Sequence, residues 1–263
     1  MKITVLAENT TCREDCGAEH GLSLLVETNG HIILFDAGQT TLFAANARTL
    51  GVDLGAVEMA VLSHGHYDHG GGLMEFLRLN DHAPVYVSEH AFEPHYNGGE
   101  KYIGLDAELT ENDRVIAVAD RRSLLSGIEL IPWGDEPPAC PVESAGLSVM
   151  CNGSLVPEDF RHEQYMLVEE KGRRVLFSGC SHKGILNIMN RFRPDVLVGG
   201  FHFMKLDPTS GDADKLSRMA GILSEYDTEY YTCHCTGTEQ YEYLHSLMGE
   251  RLHYLSVGMT VEL

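Results

Sequence analysis

The sequence predicts an α/β protein built as a four-layer αββα sandwich, in which two mixed β-sheets pack together and helices cover their outer faces. Two observations lead to this prediction. Strand patterns occur in hairpins near both ends of the 263-residue chain, and helical patterns alternate with single strands between them. Because an amphipathic helix must bury its apolar stripe, each group of strands is expected to form one sheet with its own helices. We expect a single domain over residues 1–263.

The first group of strands contains the clearest turn signal. The dipeptide Asn29-Gly30 lies between two apolar runs. It predicts a tight hairpin, because a type I′ turn needs positive φ at both central residues. In this half of the chain we predict strands at 2–6, 22–28, 31–35, 57–62 and 84–87, and helices at 41–50 and directly after Gly72.

The middle of the chain is less regular, and the second half returns to alternating strands and helices. Residues at about 90–141 contain short strands at 114–118 and 128–132, and we predict a lid or substrate insertion there because no long polar linker flanks it. Beyond it we predict strands at 147–151, 165–169, 174–178, 196–198 and 229–232, helices at 183–192, 212–225 and 237–248, and two closing strands.

Charge and apolar patterning exclude several classes of protein. The chain has 39 acidic and 19 basic residues and a formal net charge of −20, which argues against binding to nucleic acids. A small anionic substrate held by local donors or a metal remains compatible with this charge. No apolar run approaches the roughly 20 residues of a membrane span, and Glu8 comes too early for a signal peptide. We therefore expect no membrane association and a cytoplasmic location.

A cluster of metal-ligand side chains follows the strand predicted at 57–62. The segment His64-Gly65-His66-Tyr67-Asp68-His69 places three imidazoles and a carboxylate within six residues. A tight loop after a strand can direct several side chains to one point, whereas the strand itself alternates its faces. Imidazole and carboxylate together suit Zn²⁺, Mn²⁺ or Fe²⁺. The seven cysteines are scattered, which favours metal ligands or reduced thiols over a disulfide framework.

This segment resembles the His-x-His-x-Asp-His signature of the metallo-β-lactamase superfamily. Further matches are Asp36-Ala37-Gly38, Ser178-Gly179-Cys180 and Thr232-Cys233-His234, so the resemblance covers essentially the whole chain. Residues 18–23, 179–182 and 233–237 are similar to one subgroup, the superfamily-II metal-dependent hydrolases. That subgroup includes proteins named dihydropterin–ribofuranosylaminobenzene 5′-phosphate synthase. The resemblance implies the metallo-β-lactamase fold.

The resemblance also implies two divalent metal ions, with Zn²⁺ expected first and Mn²⁺ or Fe²⁺ as alternatives. His64 and His66 would hold the first ion. Asp68 and His69 would hold the second, and His234 would complete that second site. Asp68 would in addition steer the nucleophile.

Five other positions have expected roles, and those of Cys180 and Asp36 come from the same resemblance. Cys180 stands where most hydrolases of the superfamily have a bridging aspartate, and it would be a soft ligand of the second ion. Asp36 would accept hydrogen bonds and orient the ligand imidazoles. The third histidine of the first ion is either His162 or His182, and the sequence leaves both open. His182 or His202 would protonate the leaving group.

The function implied is that of a metal-dependent hydrolase that uses a metal-bound hydroxide at a mono- or binuclear site. Its expected substrate is small and anionic, such as a phosphate ester or a lactone-like compound. Two alternatives remain: a transferase of the dihydropterin–ribofuranosylaminobenzene 5′-phosphate synthase type, and a non-catalytic metal-binding sensor. Di-iron relatives of the fold usually carry Glu in place of His66, which disfavours redox chemistry. No pattern specifies an oligomeric state.

Overall fold

The computed structural model of the protein describes residues 1–134 and 136–263. The strands are β1 Lys2–Ala7, β2 Ser23–Thr28, β3 His31–Phe35, β4 Met59–Val61, β5 Val85–Ser88, β6 His95–Asn97, β7 Lys101–Tyr102, β8 Val115–Val118, β9 Arg122–Leu125, β10 Ile128–Pro132, β11 Leu147–Cys151, β12 Ser154–Pro157, β13 Gln164–Glu170, β14 Arg173–Gly179, β15 Val196–Gly199, β16 Glu229–Thr232, β17 Leu252–Tyr254 and β18 Thr260–Glu262. The helices are α1 Leu42–Thr49, α2 Tyr67–Gly70, α3 Leu73–Leu79, α4 Ile185–Phe192, α5 Ala213–Leu223 and α6 Thr238–Met248.

Two large mixed sheets form the centre of the molecule. The first sheet has the strand order β18-β1-β2-β3-β4-β5-β8, and the second has the order β17-β16-β15-β14-β13-β10-β9. A small third sheet, β12-β11-β6-β7, lies beside them. In the first sheet β3, β4, β5 and β8 run parallel, and in the second β14, β15, β16 and β17 run parallel. The carboxyl ends of each parallel set therefore meet at one edge of its sheet.

Three apolar clusters separate the layers and confirm the predicted αββα sandwich. Between the two large sheets, Phe35 and Phe177 pack with ring centroids 5.4 Å apart. Phe43 and Phe76 of α1 and α3 are fully buried with apolar side chains of the first sheet. The helices α4, α5 and α6 bury Ile188, Leu216 and Leu244 with apolar side chains of the second sheet. Among the described helices, none combines the length and the apolar character that crossing a bilayer requires.

Local sequence signals account for many of the element boundaries. The strands predicted at 31–35, 128–132, 147–151 and 229–232 occur with those bounds. Asn29 and Gly30 have φ values of 52° and 83°, as a type I′ turn requires. The strand predicted at 57–62 is shorter, Met59–Val61. The helix predicted from 183 begins only at Ile185, because Gly184 has a φ of 89°.

The middle segment predicted as an insertion at about 90–141 contributes to all three sheets. Its strands β6 and β7 belong to the small sheet, β8 extends the first sheet, and β9 and β10 extend the second. The sequence analysis did not predict β6, β7, β9 or β12. These strands have two to four residues each, too few to show a period of two. A role of this segment as a lid or substrate insertion stays a prediction.

Candidate metal centre

The sequence-predicted site residues meet where parallel strands of the two large sheets end. Asp36 follows β3, and the segment from His64 to His69 follows β4. In the second sheet, Cys180 follows β14, His202 comes shortly after β15, and His234 comes shortly after β16. In open α/β sheets the crevice outside the carboxyl ends of strands is the usual place for ligands.

Left-handed backbone conformations direct four of the side chains after these strands. Asp36, Ser181, His202 and His234 have φ values of 58°, 57°, 57° and 46°. Non-glycine residues adopt this region rarely, and such strain is concentrated at functional sites. Gly179, with a φ of 61°, permits close packing of the two sheets here, because a β-carbon would collide with Ser63.

His64, His66 and His182 form the first group of candidate ligands. Their ligand atoms all lie within 4.8 Å of one another, and all three side chains are buried. Within the described part of the chain, Nε2 of His64, Nε2 of His66 and both ring nitrogens of His182 are buried without a hydrogen-bond partner. Buried polar atoms are normally paired, so a group that the polypeptide does not supply is expected beside these imidazoles.

His69, Cys180, Asp68 and His234 surround a second position beside the first group. His69 Nε2 lies 3.1 Å from Cys180 Sγ, and the ligand atoms of both lie within 4.8 Å of that of His64. Asp68 Oδ2 lies 3.3 Å from His234 Nε2 and 3.2 Å from His20 Nε2. The structure thus brings all the sequence-predicted ligands other than His162 into one cluster of neighbouring side chains.

Asp36 contacts the imidazole of His69 directly and that of His64 through Ser63, in the orienting position that the resemblance implies. Its Oδ1 accepts a hydrogen bond from the Ser63 backbone N–H at 2.7 Å, and its Oδ2 accepts from Ser63 Oγ at 2.8 Å. Nδ1 of His69 donates to the same Oδ2 at 2.6 Å. Ser63 Oγ also lies 2.9 Å from Nδ1 of His64. Burial opposes a charge on His69, but the Asp36 carboxylate raises the pKa of His69 to about 9.

His162 and His182, the two alternatives for the first ion, lie in different surroundings. His182 joins His64 and His66, whereas His162 joins His66 in a separate group with His95 and Glu158. The Gly65 backbone N–H donates to Nδ1 of His162 at 2.8 Å. A neutral His162 therefore carries its proton on Nε2, which makes that nitrogen a donor rather than a ligand. This geometry favours His182 as the third imidazole of the first group.

The surroundings of Cys235 differ from the sequence-based expectation. With strand alternation continued through His234, Cys233 and Cys235 would point away from the site. The strand ends at Thr232, however, and residues His234–Thr236 form a 3-10 turn. Cys233 is packed in the core between the sheets, whereas Cys235 Sγ lies within 4.8 Å of the ligand atoms of Cys180 and His234. The strand does not continue to Cys235, so strand alternation does not apply there and Cys235 lies beside the candidate ligands.

His95 and Glu158 are the buried site residues that the sequence analysis missed. They are 63 positions apart, and His95 Nδ1 lies 2.7 Å from Glu158 Oε2. Neither residue belongs to a motif or follows a strand of the large sheets. Because the small sheet brings them together, no local sequence signal could have identified the pair.

The candidate ligands line one end of a cavity of about 570 Å³. Its walls include His66, Asp68, Cys180, His182 and His234, and His202 lies among them. Other lining residues are apolar side chains and lysines: Ile103, Leu147, Phe203, Met204, Leu206, Met219, Lys101, Lys205 and Lys215. The cavity is large enough for a small organic molecule in contact with the imidazoles.

The protonation states of the candidate ligands are suitable for binding a divalent cation. Burial lowers the pKa of His66 to about 3 and the pKa values of His202 and His234 to about 4, so these imidazoles are neutral at pH 7. Burial alone would raise the pKa of Asp68, but the neighbouring imidazoles of His20 and His234 hold it well below its ordinary value. Neutral imidazoles with free nitrogens, a carboxylate and a cysteine are a donor set for Zn²⁺ and similar ions.

These lowered pKa values predict that the metal-free protein loses stability in acid. His66, His202 and His234 are neutral in the folded protein, whereas they titrate near pH 6.5 in the unfolded chain. Their contribution to the free energy of unfolding is therefore present above about pH 6.5 and is lost as the pH falls toward 4 to 3. The raised pKa of His69 acts in the opposite direction and offsets only part of this loss. Between about pH 7.5 and pH 5 we expect a net loss of a few kcal/mol in the free energy of unfolding. Denaturant titrations of chelator-treated protein at both pH values would measure it, and unchanged midpoints would contradict it.

Comparisons with known proteins extend the similarity beyond the ligand motif. A family model described as the metallo-beta-lactamase superfamily matches residues 16–156. The crystal structure of Tm1679, described as a metal-dependent hydrolase of the beta-lactamase superfamily, has a TM-score of 0.82 and 30% sequence identity. The match covers 100% of this chain and 99% of that one.

Two proteins of Methanocaldococcus jannaschii are also similar along most of their length. One, named as an uncharacterized protein, is 30% identical over 246 residues, which cover 89% of this chain and 90% of that protein. The other, named 7,8-dihydropterin-6-methyl-4-(beta-D-ribofuranosyl)-aminobenzene-5′-phosphate synthase, is 28% identical over 268 residues, which cover 90% of this chain and 88% of that protein. The similarity therefore spans both large sheets rather than the ligand segment alone.

Proposed function

The chain belongs to the metallo-β-lactamase superfamily, and from that premise we propose that it is a metal-dependent hydrolase of small anionic substrates. The observation that carries the proposal is the set of buried ring nitrogens of His64, His66 and His182, unpartnered within the described part of the chain, beside a cavity that His66 and His182 line. Phosphate esters and lactone-like compounds are the expected substrate classes. The match to Tm1679, a metal-dependent hydrolase by its description, supports this reaction type.

Two sets of side chains would hold divalent cations, Zn²⁺ first among them. His64, His66 and His182 would hold one cation, and a second set would hold the other: Asp68, His69, Cys180 and His234. When bound there, such cations would act as Lewis acids, lowering the pKa of water and stabilising negative charge on the substrate. The protein fixes the donors, since Asp36 holds His69 at 2.6 Å.

The loop of His182 is fixed by a buried carboxylate. Glu163 accepts hydrogen bonds from the backbone N–H groups of His182 and Lys183, at 2.6 and 2.8 Å. Tyr165 donates to the same carboxylate at 2.6 Å. These contacts hold the imidazole of His182 in place before substrate arrives, which limits the reorganisation needed during the reaction.

His202 is the residue best placed to handle the proton of the leaving group. Its ring lies 4.5 Å from that of His182, centroid to centroid, and it lines the cavity. Burial, together with the charge of Lys205, lowers the pKa of His202 to about 4. The imidazole is therefore neutral at pH 7, and it can give a hydrogen bond from its ring N–H to the leaving oxygen. A negatively charged substrate would raise its pKa and favour proton transfer.

The lysines that line the cavity favour binding of an anionic substrate. The chain has six lysines, and three of them line this one cavity: Lys101, Lys205 and Lys215. Lys215 is paired with Glu143 at 3.0 Å. Lys101 donates to the Tyr67 hydroxyl and Lys205 to the Ala145 carbonyl, and within residues 1–134 and 136–263 neither has a carboxylate partner. In a chain with a net charge of −20, this local excess of positive charge favours an anion.

The experiment that tests the proposal is hydrolysis of matched substrates by cation-loaded protein. A phosphodiester, a phosphomonoester and a lactone are assayed with loaded and with chelator-treated protein. We expect turnover of at least one class, loss of that turnover on chelation, and recovery when Zn²⁺ or Mn²⁺ is restored. Bound cation without turnover of any of the three would contradict the proposal and favour a metal-binding sensor.

Neutralising both unpaired lysines is expected to weaken binding of the anionic substrate. In the Lys101→Met, Lys205→Met double variant we expect KM to rise by about tenfold, because charge-assisted contacts contribute about 1.5–3 kcal/mol. The value of kcat should change little, since neither side chain belongs to the two candidate ligand groups. Lys2→Met is the matched control, because Lys2 pairs with Glu27 away from the cavity. An unchanged KM in the double variant would show that the substrate does not reach these lysines.

The synthase among the relatives supports a second candidate function. Its name describes the formation of a dihydropterin–ribofuranosylaminobenzene 5′-phosphate conjugate, and its similarity covers 90% of this chain. In this alternative the same cavity would bind a phosphorylated partner while that partner displaces a leaving group from the 6-methyl carbon of the pterin and loses a proton. Cation-loaded protein incubated with ribofuranosylaminobenzene 5′-phosphate and a dihydropterin that carries a diphosphate leaving group on this carbon would yield the conjugate and diphosphate, detectable by mass spectrometry. Its absence, alongside turnover of an ester, would favour the hydrolase.

A further inference from the structure

A buried carboxylate and an imidazole from the small sheet lie behind the first group of candidate ligands. His95 begins β6, and Glu158 directly follows β12; both strands pair with β11. Both side chains are fully buried. The segment around the small sheet thus reaches the candidate metal centre, in addition to contributing residues to the cavity wall.

Glu158 is a buried carboxylate with few partners. His95 Nδ1 lies 2.7 Å from its Oε2, and the Phe160 backbone N–H donates to its Oε1 at 3.3 Å. A buried carboxylate is costly unless it accepts hydrogen bonds, so Nδ1 of His95 carries the proton and donates it. A neutral His95 then keeps a lone pair on Nε2, and within the described residues that nitrogen is buried without a partner.

His162 completes the group beside Glu158, within ion-pair distance but beyond hydrogen-bond distance. Because the Gly65 N–H donates to Nδ1 of His162, the ring proton lies on Nε2, and this nitrogen is 3.8 Å from Glu158 Oε1. The rings of His95 and His162 are stacked, with centroids 4.0 Å apart and an angle of 26° between their planes. The bond from Gly65 also connects His162 to the ligand segment, since Gly65 lies between His64 and His66.

His66 connects this group to the candidate metal centre. Its ligand atom lies within 4.8 Å of those of His95, Glu158 and His162, and its ring lies edge-on to that of His95 at a centroid distance of 5.4 Å. Within the described residues, Nε2 of His66 is buried without a partner, as is Nε2 of His95. A proton on Nε2 of His66, on the side of His95, would leave Nδ1 of His66 free for a ligand.

We propose that Glu158 and His95 are positioning residues which, together with His162, fix the proton positions and orientation of His66 and so determine how tightly the centre binds a cation. The three residues are unsuited to hold a cation themselves. The proton of His162 occupies the nitrogen that would be the ligand, and Glu158 already accepts the hydrogen bond of His95. This inference rests on the proposed function, because it concerns the cation bound by His64, His66 and His182. Partners of this kind orient ligand imidazoles, and their loss typically weakens metal binding by about 10- to 100-fold.

The test is the Zn²⁺ affinity of the Glu158→Gln variant, measured by competition with a chromophoric chelator. We expect the dissociation constant to rise by about 10- to 100-fold while the number of bound ions is unchanged. The absorption spectrum of the Co²⁺-loaded protein should show the same number of ligands in altered geometry, which a purely structural effect on stability would not produce. Glu58→Gln is the matched control, because Glu58 makes the same kind of bond, 2.8 Å from His31 Nδ1, at the protein surface.

A second variant keeps the test informative if Glu158→Gln fails to fold. His95→Asn retains a donor near the position of Nδ1 but removes the ring that contacts His66, and it should weaken Zn²⁺ binding likewise. Wild-type affinity in either folded variant would overturn the inference, and so would the loss of one whole ion with the remaining affinity intact. Absence of bound Zn²⁺ in the wild-type protein would instead overturn the proposed function.

Discussion

Replacing His66 with alanine is expected to remove at least one equivalent of bound divalent cation and to lower hydrolysis by on the order of 10³-fold. His66 belongs both to the group with His64 and His182 and to the group with His95, Glu158 and His162. His66 is the residue that these two groups share, so the loss of its side chain affects both the candidate ligands and the contacts that orient them. Burial keeps the imidazole neutral, with a pKa of about 3, which is the state that a cation requires.

Elemental analysis of protein purified without added metal measures this effect. Near two equivalents of zinc, manganese or iron in the wild type, falling in His66→Ala, would support the binuclear site. One equivalent in the wild type would favour a mononuclear site and give weight to the transferase alternative. His82→Ala is the control, because that histidine is exposed and pairs only with Asp81. Equal metal content in His66→Ala and wild type would refute the assignment of His66.

Replacing Asp68 with asparagine is expected to lower kcat by roughly 10²- to 10³-fold and to reduce binding of the second cation. The substitution preserves the shape of the side chain but removes its negative charge. Asp68 Oδ2 is 3.2 Å from His20 Nε2 and 3.3 Å from His234 Nε2, so one carboxylate oxygen holds two imidazoles at the cavity wall. The proximity of these imidazoles keeps the pKa of the carboxylate well below its ordinary value despite its burial.

Steady-state kinetics and metal content of Asp68→Asn, compared with Asp81→Asn, test this expectation. Asp81 is fully exposed and also pairs with a histidine, so its variant controls for the loss of one negative charge. A fall in kcat with the second cation retained would assign Asp68 to steering the nucleophile rather than to cation binding. Wild-type kcat and metal content together would show that Asp68 has neither role.

The sequence predicted the layered fold and most of the candidate centre because their signals are local. The hairpin at Asn29-Gly30 follows from the φ values that these two residues tolerate. The ligand segment from His64 to His69 is contiguous and follows an apolar strand, which makes its convergence predictable from a loop of six residues. Asp36 and Cys180 could be predicted only through their resemblance to family motifs at other strand ends.

Contacts between distant segments of the chain determine features of the candidate centre and its cavity that the sequence left open. The choice between His162 and His182 depends on a backbone N–H from Gly65, which is 97 positions from His162. The pairing of His95 with Glu158 and the gathering of Lys101 with Lys205 at one cavity depend on the small sheet and on loops after the large sheets. Residue types and their spacing along a strand or loop thus determine which donors are available. Only the folded chain determines which nitrogen of an imidazole carries the proton, because its hydrogen-bond partners come from other parts of the structure.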